Sequence, residues 1–420
     1  MEFEVTLAED YCLKVADGTH DSPKNTESGY KLITSRHLQE FNLDFANANL
    51  ISNDDYEEIN KRSRVDQFDI LFSMIGTVGR IYFEKSSDID YAIKNVGLFK
   101  NKSELEAKWL YYYLHSPLAH EYIHQNLRGS TQQYIPLGSL RKFPIKHPKL
   151  KKDMKKIVNM LDSIDKKRES NILIISHLED LAQTLFKHWF VDFEFPNENG
   201  EPYKSSGGEM VESELGMIPK DWALSEIGKI AKQNGKSVII EELKQHVPYI
   251  GLEHMPRGSI GLGEWESSEK ITSNKTQFKK GDILFGKLRP YFKKVGIAPI
   301  EGVCSTDILV LNTKKETYYS YFTSLVSQDV FIEYCTATAT GTRMPRTGWK
   351  QISKYEIVLP TEDVAEQFNK LLKPFYEKIT EAIFETKSLR SMRDTLLPKL
   401  LSGEIELPDE TEVTENVPVS

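Results

Sequence analysis

The sequence contains one pattern that resembles the zinc site of a metalloprotease. His120, Glu121 and His124 form HExxH, which on a helix places two imidazoles one turn apart, with a glutamate able to activate a zinc-bound water. The extended form of this site has glycine and histidine where the chain has Leu127 and Ser130. Because the third ligand is missing, the pattern does not predict a metal site.

A second pattern is similar to a phosphate-binding loop. Residues 281–287 read GDILFGK and match GxxxxGK, but a nucleotide site needs Ser or Thr next, at the start of a helix. The chain has Leu288 and, two residues later, Pro290. The Asn-Pro-Pro-Tyr and Asp-Pro-Pro-Tyr motifs of adenine methyltransferases are also absent from the sequence. We therefore predict no catalytic residues and no metal or cofactor of the chain's own.

Basic and aromatic residues interleave after the strand-like DILF segment at 282–285. Basic groups neutralise DNA phosphates, arginine can bond the edge of guanine through two hydrogen bonds, and aromatic rings pack on sugars or bases or in the core. The candidate DNA-binding residues of this segment are Lys287, Arg289, Tyr291, Lys293 and Lys294.

The same DILF occurs at 69–72 and is followed by SMIGTVGR. Glycines there allow close approach of the backbone to a ligand, and the polar residues offer hydrogen-bond donors. The candidates are Ser73, Gly76, Thr77, Gly79 and Arg80. The alternative is a glycine hairpin with a solvated arginine.

A third pair of segments adds further candidates. GSTQQYIP at 129–136 contributes Gln132 and Gln133, which suit adenine, and GTRMPRTG at 341–348 contributes Arg343 and Arg346, which suit guanine or phosphate. We interpret the second segment as shorter than its twin, so we do not expect the two to be equivalent residue by residue.

These paired segments belong to an internal duplication. LEDLAQTLFKHWF at 178–190 aligns without gaps on LRSMRDTLLPKLL at 389–401, and the two DILF segments and FPIKHP with YEIVLP repeat at nearly the same offset. Because the offsets agree within two residues, we infer one ancestral unit of about 210 residues, present twice.

Each copy ends in a helix with a heptad pattern of apolar residues, which predicts burial against a partner helix, most simply that of the other copy. Arg168 and Arg393 interrupt the two stripes, and we interpret them as equivalent positions. Pro374 predicts a kink, so the first turns of the second helix are expected to form a separate segment. The a and d positions are Ile157, Leu161, Ile164, Arg168, Asn171, Ile175, Leu178, Ala182, Leu185 and Trp189, and then Phe368, Leu372, Phe375, Ile379, Ala382, Thr386, Leu389, Arg393, Leu396 and Leu400.

Charge is unevenly distributed along a chain with a formal net charge of −8. Residues 138–156 and 270–294 each contain eight basic residues and one acid, and we interpret the two runs as matched basic patches for nucleic acid. The three cysteines suit a reducing interior, and the N-terminus lacks the pattern of a signal peptide, so the cytoplasm is the expected compartment.

We divide the chain into a globular domain at 1–150, a long helix at 151–192, and a linker at 193–222 rich in Gly, Pro, Ser and acids. A second globular domain follows at 223–360, then a long helix at 361–403 and an acidic tail at 404–420 whose composition predicts disorder. Short β-type runs mixed with helical stretches predict an α+β fold for both globular domains.

Over nearly its whole length the chain resembles the specificity subunit of type I restriction-modification systems. Singly the matching motifs are modest, but their order and duplication are specific. They are DGTH at 17–20, GYKLITSRHL at 29–38, DILF with GTVG, WLYYYLHS at 109–116, GSTQQYIP, LFKHWFVDFEFP at 185–196 and LLPKLLSGEIEL at 396–407. We add Thr19 and His20 of the first motif to the candidate DNA-binding residues.

The resemblance implies two target-recognition domains, each reading half of a split, asymmetric DNA site, held apart by an antiparallel coiled-coil pair of helices with pseudo-two-fold symmetry. It implies partners as well: about two methyltransferase subunits that use S-adenosylmethionine, and about two restriction subunits that use ATP and Mg²⁺. A helix from Ile157 to Trp189 would be about 50 Å long, or roughly 15 base pairs between the two domains.

The leading hypothesis is thus a non-catalytic DNA-reading subunit of a methyltransferase and restriction complex. The alternative is a coiled-coil scaffold whose globular domains bind protein. The two differ in salt dependence, because only binding to DNA phosphates weakens steeply with salt.

Overall fold

A computed structural model describes residues 1–239, 246–270 and 273–408. The chain forms two compact units: unit 1 comprises Met1–Glu169 and the chain from Leu389 onward, and unit 2 comprises Ser170–Ser388. Each unit therefore contains one globular region and one end of each long helix, so the unit boundaries differ from the predicted domain boundaries. Residues 409–420 of the predicted acidic tail lie outside the described residues.

The globular region of unit 1 mixes short strands and helices. The strands are β1 (Phe3–Leu7), β2 (Lys14–Asp17), β3 (Tyr30–Thr34), β4 (Asn49–Ile51), β5 (Ile70–Ser73), β6 (Ile81–Phe83), β7 (Tyr91–Lys94), β8 (Val96–Lys100) and β9 (Pro144–Pro148). They form sheets with the orders β2-β8-β5-β6, β4-β3-β7 and β1-β9. The helices are α1 (Ala8–Tyr11), α2 (Asn53–Ser63), α3 (Glu104–Leu114), α4 (Pro117–Gln125), which carries the HExxH pattern, and α5 (Leu137–Arg141).

The globular region of unit 2 begins with a hairpin and then repeats this plan. The strands are β10 (Met210–Ser213), β11 (Gly216–Pro219), β12 (Ala223–Glu226), β13 (Ala231–Gln233), β14 (Lys236–Val238), β15 (Pro248–Ile250), β16 (Glu266–Ser267), β17 (Lys275–Phe278), β18 (Ile283–Gly286), β19 (Val295–Ile297), β20 (Gly302–Cys304), β21 (Ile308–Thr313) and β22 (Glu356–Leu359). The helices are α7 (Ile227–Ile230), α8 (Tyr319–Val326), α9 (Asp329–Ala337) and α10 (Trp349–Ile352). The sheet orders are β13-β21-β18-β19, β14-β17-β20-β15-β16, β12-β22 and β10-β11.

The two DILF segments form the central strands β5 and β18. Each pairs antiparallel with two neighbours, and the register places Ile70 opposite Phe99 and Ile283 opposite Leu311. The continuous apolar run suits a strand that is buried on both faces, and the side chains of both runs are fully or almost fully buried. The shared topology confirms the α+β class and the duplication.

Two long helices complete the described structure: α6 (Lys151–Phe186), which continues into a π-helical turn at Lys187–Val191, and α11 (Glu362–Ser402). The second helix is unbroken across Pro374, so the prediction of a separate first segment is wrong. No helix in the described ranges has the length and apolar composition to cross a membrane.

The apolar stripes of α6 and α11 pack against one another within each unit. In unit 1, Ile157 and Leu161 share a core with Leu397 and Leu400. In unit 2, the ring of Trp189 lies 5.3 Å from that of Phe368, and Asn171 donates to Glu385 at 2.8 Å. In each unit the helices run antiparallel, because residues of increasing number on α6 contact residues of decreasing number on α11.

The segment predicted to be a linker is folded into unit 2. Phe195 stacks on Trp222, with ring centroids 4.9 Å apart, and on Tyr203, with ring centroids 4.6 Å apart. In the sequence, the β10–β11 hairpin falls between Tyr203 and Trp222. Burial of these aromatic rings stabilises the segment despite its content of Gly, Ser and Pro.

In unit 1 a buried charge cluster joins the globular region to the helices. The Glu40 carboxylate accepts hydrogen bonds from Arg168 of α6 (Nη2···Oε2 2.8 Å) and Arg393 of α11 (Nη1···Oε1 2.9 Å), and both arginines are buried. Asp165 accepts another bond from Arg168 at 2.7 Å. Burial alone would raise the pKa of Glu40, but the two arginines lower it to about 2. Glu40 is therefore ionised at neutral pH.

The interpretation of Arg168 and Arg393 as equivalent positions is wrong. The offset of 211 that aligns the helices pairs Arg168 with Ile379 and Arg393 with Ala182. Both arginines lie in unit 1, whereas Ile379 and Ala182 belong to the apolar core of unit 2. The charge cluster is therefore a feature of one copy.

In unit 2 the corresponding connection uses a carboxylate on the helix. Glu179 Oε1 accepts hydrogen bonds from the Ser259 hydroxyl (2.7 Å) and from the backbone N–H groups of Ile260 (2.9 Å) and Gly261 (3.0 Å). Burial raises the pKa of Glu179 more than these three donors lower it. Lys387 of α11 also donates to the Gly263 carbonyl at 2.9 Å.

Candidate nucleic-acid interface

Two loops that are far apart in the sequence of unit 1 are joined by backbone hydrogen bonds. One follows β5, and the other precedes α5. The Gly76 N–H donates to the Gln133 carbonyl (3.2 Å), and the Ile135 N–H donates to the Met74 carbonyl (2.9 Å). The second loop is closed by a reciprocal pair between Arg128 and Tyr134, at 2.8 and 2.9 Å. The two loops therefore form one surface.

Unit 2 has the same four hydrogen bonds at the equivalent positions. The Arg289 N–H donates to the Pro345 carbonyl (2.8 Å), the Thr347 N–H donates to the Lys287 carbonyl (3.0 Å), and Thr340 and Arg346 close their loop at 2.9 Å in both directions. We call each pair of loops a two-loop platform: 74–79 with 128–135 in unit 1, and 287–293 with 340–347 in unit 2.

The platforms correct one prediction about the second copy. The loop at 340–346 spans as many residues as the loop at 128–134, so the segment at 341–348 is not shorter than its twin. The backbone of this second loop is equivalent in the two units, while its side chains differ at almost every position.

Most of the candidates in unit 1 lie on the platform. Thr77, Gln132 and Gln133 are exposed, and Gly76 and Gly79 adopt left-handed backbone conformations with φ of +79° and +93°. Only glycine takes this conformation without steric cost. Arg80 is also exposed and makes one long hydrogen bond, 3.5 Å, to the Leu38 carbonyl.

Ser73 is not an interface residue. Its side chain is fully buried, its hydroxyl donates to the Thr77 carbonyl (2.6 Å), and it accepts from the Arg80 N–H (2.7 Å). The prediction that Ser73 contacts DNA is wrong, because the hydroxyl is used to close the loop that carries Thr77 and Arg80.

Thr19 and His20 lie beside other elements. Thr19 forms a β-bridge with Lys94 at the end of β7. The imidazole of His20 is bonded to Asp17 (3.0 Å) and Asn95 (2.8 Å), and Asp17 is also paired with Arg62. The bridge and the hydrogen bonds of these two residues therefore tie them to β2, β7 and the β7–β8 turn, away from the residues of the two-loop platform.

The candidates in unit 2 fall into two groups. Lys293 pairs with Asp329, Lys294 donates to the Leu252 carbonyl, and Arg346 pairs with Asp307 at 3.1 Å. Burial lowers the pKa of Lys294. These three basic groups therefore already have protein partners.

The second group has no such partners. Within the described ranges, no side-chain hydrogen bond or ion pair engages Lys287, Arg289 or Arg343, and Tyr291 is 46% exposed. These residues are the cations and the ring that the platform of unit 2 leaves available to a ligand.

Sequence reasoning missed two residues of the unit 1 platform. Arg128 and Tyr134 flank the exposed loop, and Tyr134 is 41% exposed. Tyr134 occupies the position of Arg346, which was a candidate, so applying the duplication residue by residue would have found it.

The two basic runs are not equivalent. Residues 138–156 lie on α5, β9 and the start of α6, where Lys149 pairs with Glu2 and Lys151 with Glu106. The described part of 270–294 lies on β17, β18 and the platform loop, whereas the structural twins of α5 and β9 are α10 and β22. The interpretation as matched patches is therefore wrong, and the platforms provide the better match between the copies.

Comparison with known protein families finds the same duplication in this chain. A family model described as the type I restriction modification DNA specificity domain matches twice, at residues 24–179 and 219–386. The chain is similar to the type I restriction enzyme MjaIX specificity subunit of Methanocaldococcus jannaschii, at 25% identity over 325 residues, or 73% of this chain and 71% of the relative. It is also similar to the HindI specificity subunit of Haemophilus influenzae, at 25% identity over 406 residues, or 82% of this chain and 88% of the relative.

A further relative is the EcoDI specificity subunit of Escherichia coli, at 26% identity over 285 residues, or 63% of this chain and 61% of the relative. The fold is similar to that of a solved S subunit of a type I restriction-modification system from M. genitalium. The TM-score is 0.54 at 16% identity, with 95% of this chain and 96% of that chain covered. Because the family model matches most of the chain in two copies, the chain belongs to the family of type I restriction-modification DNA specificity subunits.

Proposed function

We propose that the chain reads a two-part, asymmetric DNA site, with one half bound by the platform of each unit. The observation that carries this proposal is that one hydrogen-bonded backbone recurs in both units with unlike side chains. A shared backbone suits one mode of docking on the duplex, and unlike side chains suit two different half-sites.

The side chains of the two platforms favour different bases. In unit 1 the exposed amides of Gln132 and Gln133 suit adenine, whose N6 and N7 a glutamine can bond together. In unit 2, Arg289 and Arg343 suit guanine or phosphate, and Lys287 suits phosphate. We expect each good pair of hydrogen bonds to contribute about 1–3 kcal/mol of discrimination.

The chain itself performs no chemistry in this proposal. Methyltransferase subunits, about two, would supply S-adenosylmethionine chemistry, and restriction subunits, about two, would use ATP and Mg²⁺, all in the cytoplasm. In support of a partner on the helices, α6 exposes Ile172 (43%), Leu173 (53%) and Leu181 (45%). We propose that these side chains contribute to a surface of α6 that contacts a partner subunit.

The proposal is tested with the chain and its methyltransferase partner. Sequencing of methylated bases in cells that express both should yield a two-part motif, and duplexes with that motif should bind more tightly than scrambled ones. With about six phosphate contacts, log affinity should fall with log salt at a slope near −5. Affinity that depends on neither sequence nor salt would support the alternative, a scaffold that binds protein.

A further inference from the structure

The platforms share an unusual backbone conformation but fill it with different residues. In the loop of unit 1 that follows β5, the two residues in the left-handed region are glycines, Gly76 and Gly79. In unit 2 they are Arg289 and Lys293, both with φ of +50°. Gly76 and Arg289 are true equivalents, because each donates its N–H to the partner loop in the same way.

An arginine at this position is unfavourable for the backbone. A side chain in the left-handed region brings Cβ close to the following carbonyl, which glycine avoids. Unit 1 demonstrates that the platform can be built with glycine here. Arg289 is therefore present despite the local preference, and its side chain needs a compensating interaction.

The compensation does not come from within the described protein. Lys293, the other strained residue, pairs with Asp329. Arg289 has only backbone bonds: its N–H donates to the Pro345 carbonyl, and its carbonyl accepts from the Phe292 N–H at 3.0 Å. Its guanidinium has no bonded partner in the ranges that the structure describes.

The backbone around Arg289 is also firmly positioned. Both of its peptide groups are hydrogen-bonded, and Pro290 fixes the next φ angle. A fixed Cα suits the planar guanidinium for two-bond recognition of a base edge, whereas a phosphate contact needs only a charge within reach.

We propose that Arg289 is a specificity-determining residue that reads a guanine edge in the second half-site, and that its left-handed backbone lowers the stability of unit 2. This inference rests on the proposed function, since it requires that the platform meets DNA. It adds the residue, the base and a stability consequence that is measurable without DNA.

The test uses three variants of the full chain with its methyltransferase partner. Arg289→Lys keeps the charge but loses the planar fork, Arg289→Ala loses both and keeps the backbone strain, and Arg289→Gly loses both and relieves the strain. The DNA probes are duplexes of the motif found by methylation sequencing, with each base pair replaced in turn. The first half-site is the internal control.

We expect all three variants to lose about tenfold to hundredfold discrimination at one base pair of the second half-site, with the first half unchanged. Without DNA, amide exchange of β18 should slow by roughly threefold to tenfold in Arg289→Gly relative to Arg289→Ala. Uniform weakening on all duplexes would show a phosphate contact, and retained discrimination in any of the three variants would show that the guanidinium of Arg289 does not supply it. Either result would overturn the inference. Equal β18 exchange in the Gly and Ala variants would overturn its stability part. If the unaltered chain showed no preference for a two-part site, the proposed function itself would fail.

Discussion

Both units attach a loop of the globular region to the helices at equivalent places, but the carboxylate lies on the loop in unit 1 and on the helix in unit 2. In each unit a histidine closes a 3₁₀ turn by accepting a backbone N–H through Nδ1, His37 at 3.0 Å and His254 at 2.9 Å. Three residues later unit 1 has Glu40 and unit 2 has Arg257. Glu40 binds arginines of the helices, whereas Arg257 stacks on Phe292 and the loop beyond it donates to Glu179 of α6.

The helix residues at these contacts also differ between the two copies. The sequence twin of Glu179 is Arg390, and the twins of Arg168 and Arg393 are Ile379 and Ala182. Duplication has thus preserved where the loop meets the helices but not the chemistry of the contact. It follows that each globular region fits its own helix ends, even though the backbones are alike.

The largest expected effect is the loss of the Glu40 carboxylate. Glu40→Gln should leave two buried guanidiniums with too little negative charge, which destabilises unit 1 by about 3–5 kcal/mol. Amide exchange resolved by segment should show faster opening of β5 while β18 is unchanged. Glu9→Gln, which alters an exposed carboxylate of the same unit, is the control. An effect of Glu40→Gln no larger than that of the control would show that the cluster is not holding the unit together.

The next largest expected effect is that acid destabilises unit 1 more than unit 2. Arg168 and Arg393 hold the folded pKa of Glu40 near 2, below its ordinary value of 4.5, so its contribution is present above pH 4.5 and is lost as the pH falls toward 2. The full loss would be about 3 kcal/mol, reduced by Asp165 in the same cluster, whose pKa is raised by burial.

The contribution of Glu179 to stability depends on pH in the opposite direction. Its folded pKa is raised, so its contribution is complete below pH 4.5 and is lost as the pH rises through the folded pKa. Pepsin digestion at several pH values below 4.5 should therefore cut unit 1 before unit 2. Simultaneous cleavage of both units would contradict the expected difference in their pH dependence.

Replacing Glu179 should have a smaller effect. Glu179→Ala removes the carboxylate that accepts hydrogen bonds from three donors, at Ser259, Ile260 and Gly261. Because these donors lose their acceptor, unit 2 should be destabilised by about 1–3 kcal/mol. The neighbouring Asp180 is exposed, so Asp180→Ala is a matched control. Amide exchange of β18 should become faster in Glu179→Ala only. An equal increase in Asp180→Ala would show that the effect comes from losing a negative charge on the helix.

Several features of this comparison could be predicted from sequence. The duplication and the long helices were visible because repeated motifs and apolar heptads are local patterns. The positions of the loops were visible because glycines and polar residues follow each DILF. The family resemblance rests on the same motifs and is confirmed by the double match.

Other features depend on contacts between distant residues. Gly76 and Gln133 are bonded across more than fifty positions, and nothing near either residue indicates this. Ser73 looks like an exposed donor in the sequence but is buried as the last residue of β5. Lys293 and Arg346 are neutralised by aspartates of other elements, so a count of basic residues overstates what the platform offers to DNA.

The smallest expected effect tests the comparison at the platforms themselves. Gly76 has φ of +79° and open space where a Cβ would lie, so Gly76→Ala adds backbone strain without a steric clash. We expect a loss of about 1 kcal/mol in unit 1, measured by amide exchange of β5. Gly138→Ala is the control, because that glycine lies in α5 of the same unit, its φ is not positive, and a Cβ there would also meet open space. If Gly76→Ala were as harmless as the control, the left-handed backbone would carry no penalty at this position, and the presence of arginine at the equivalent position in unit 2 would need no compensation from DNA.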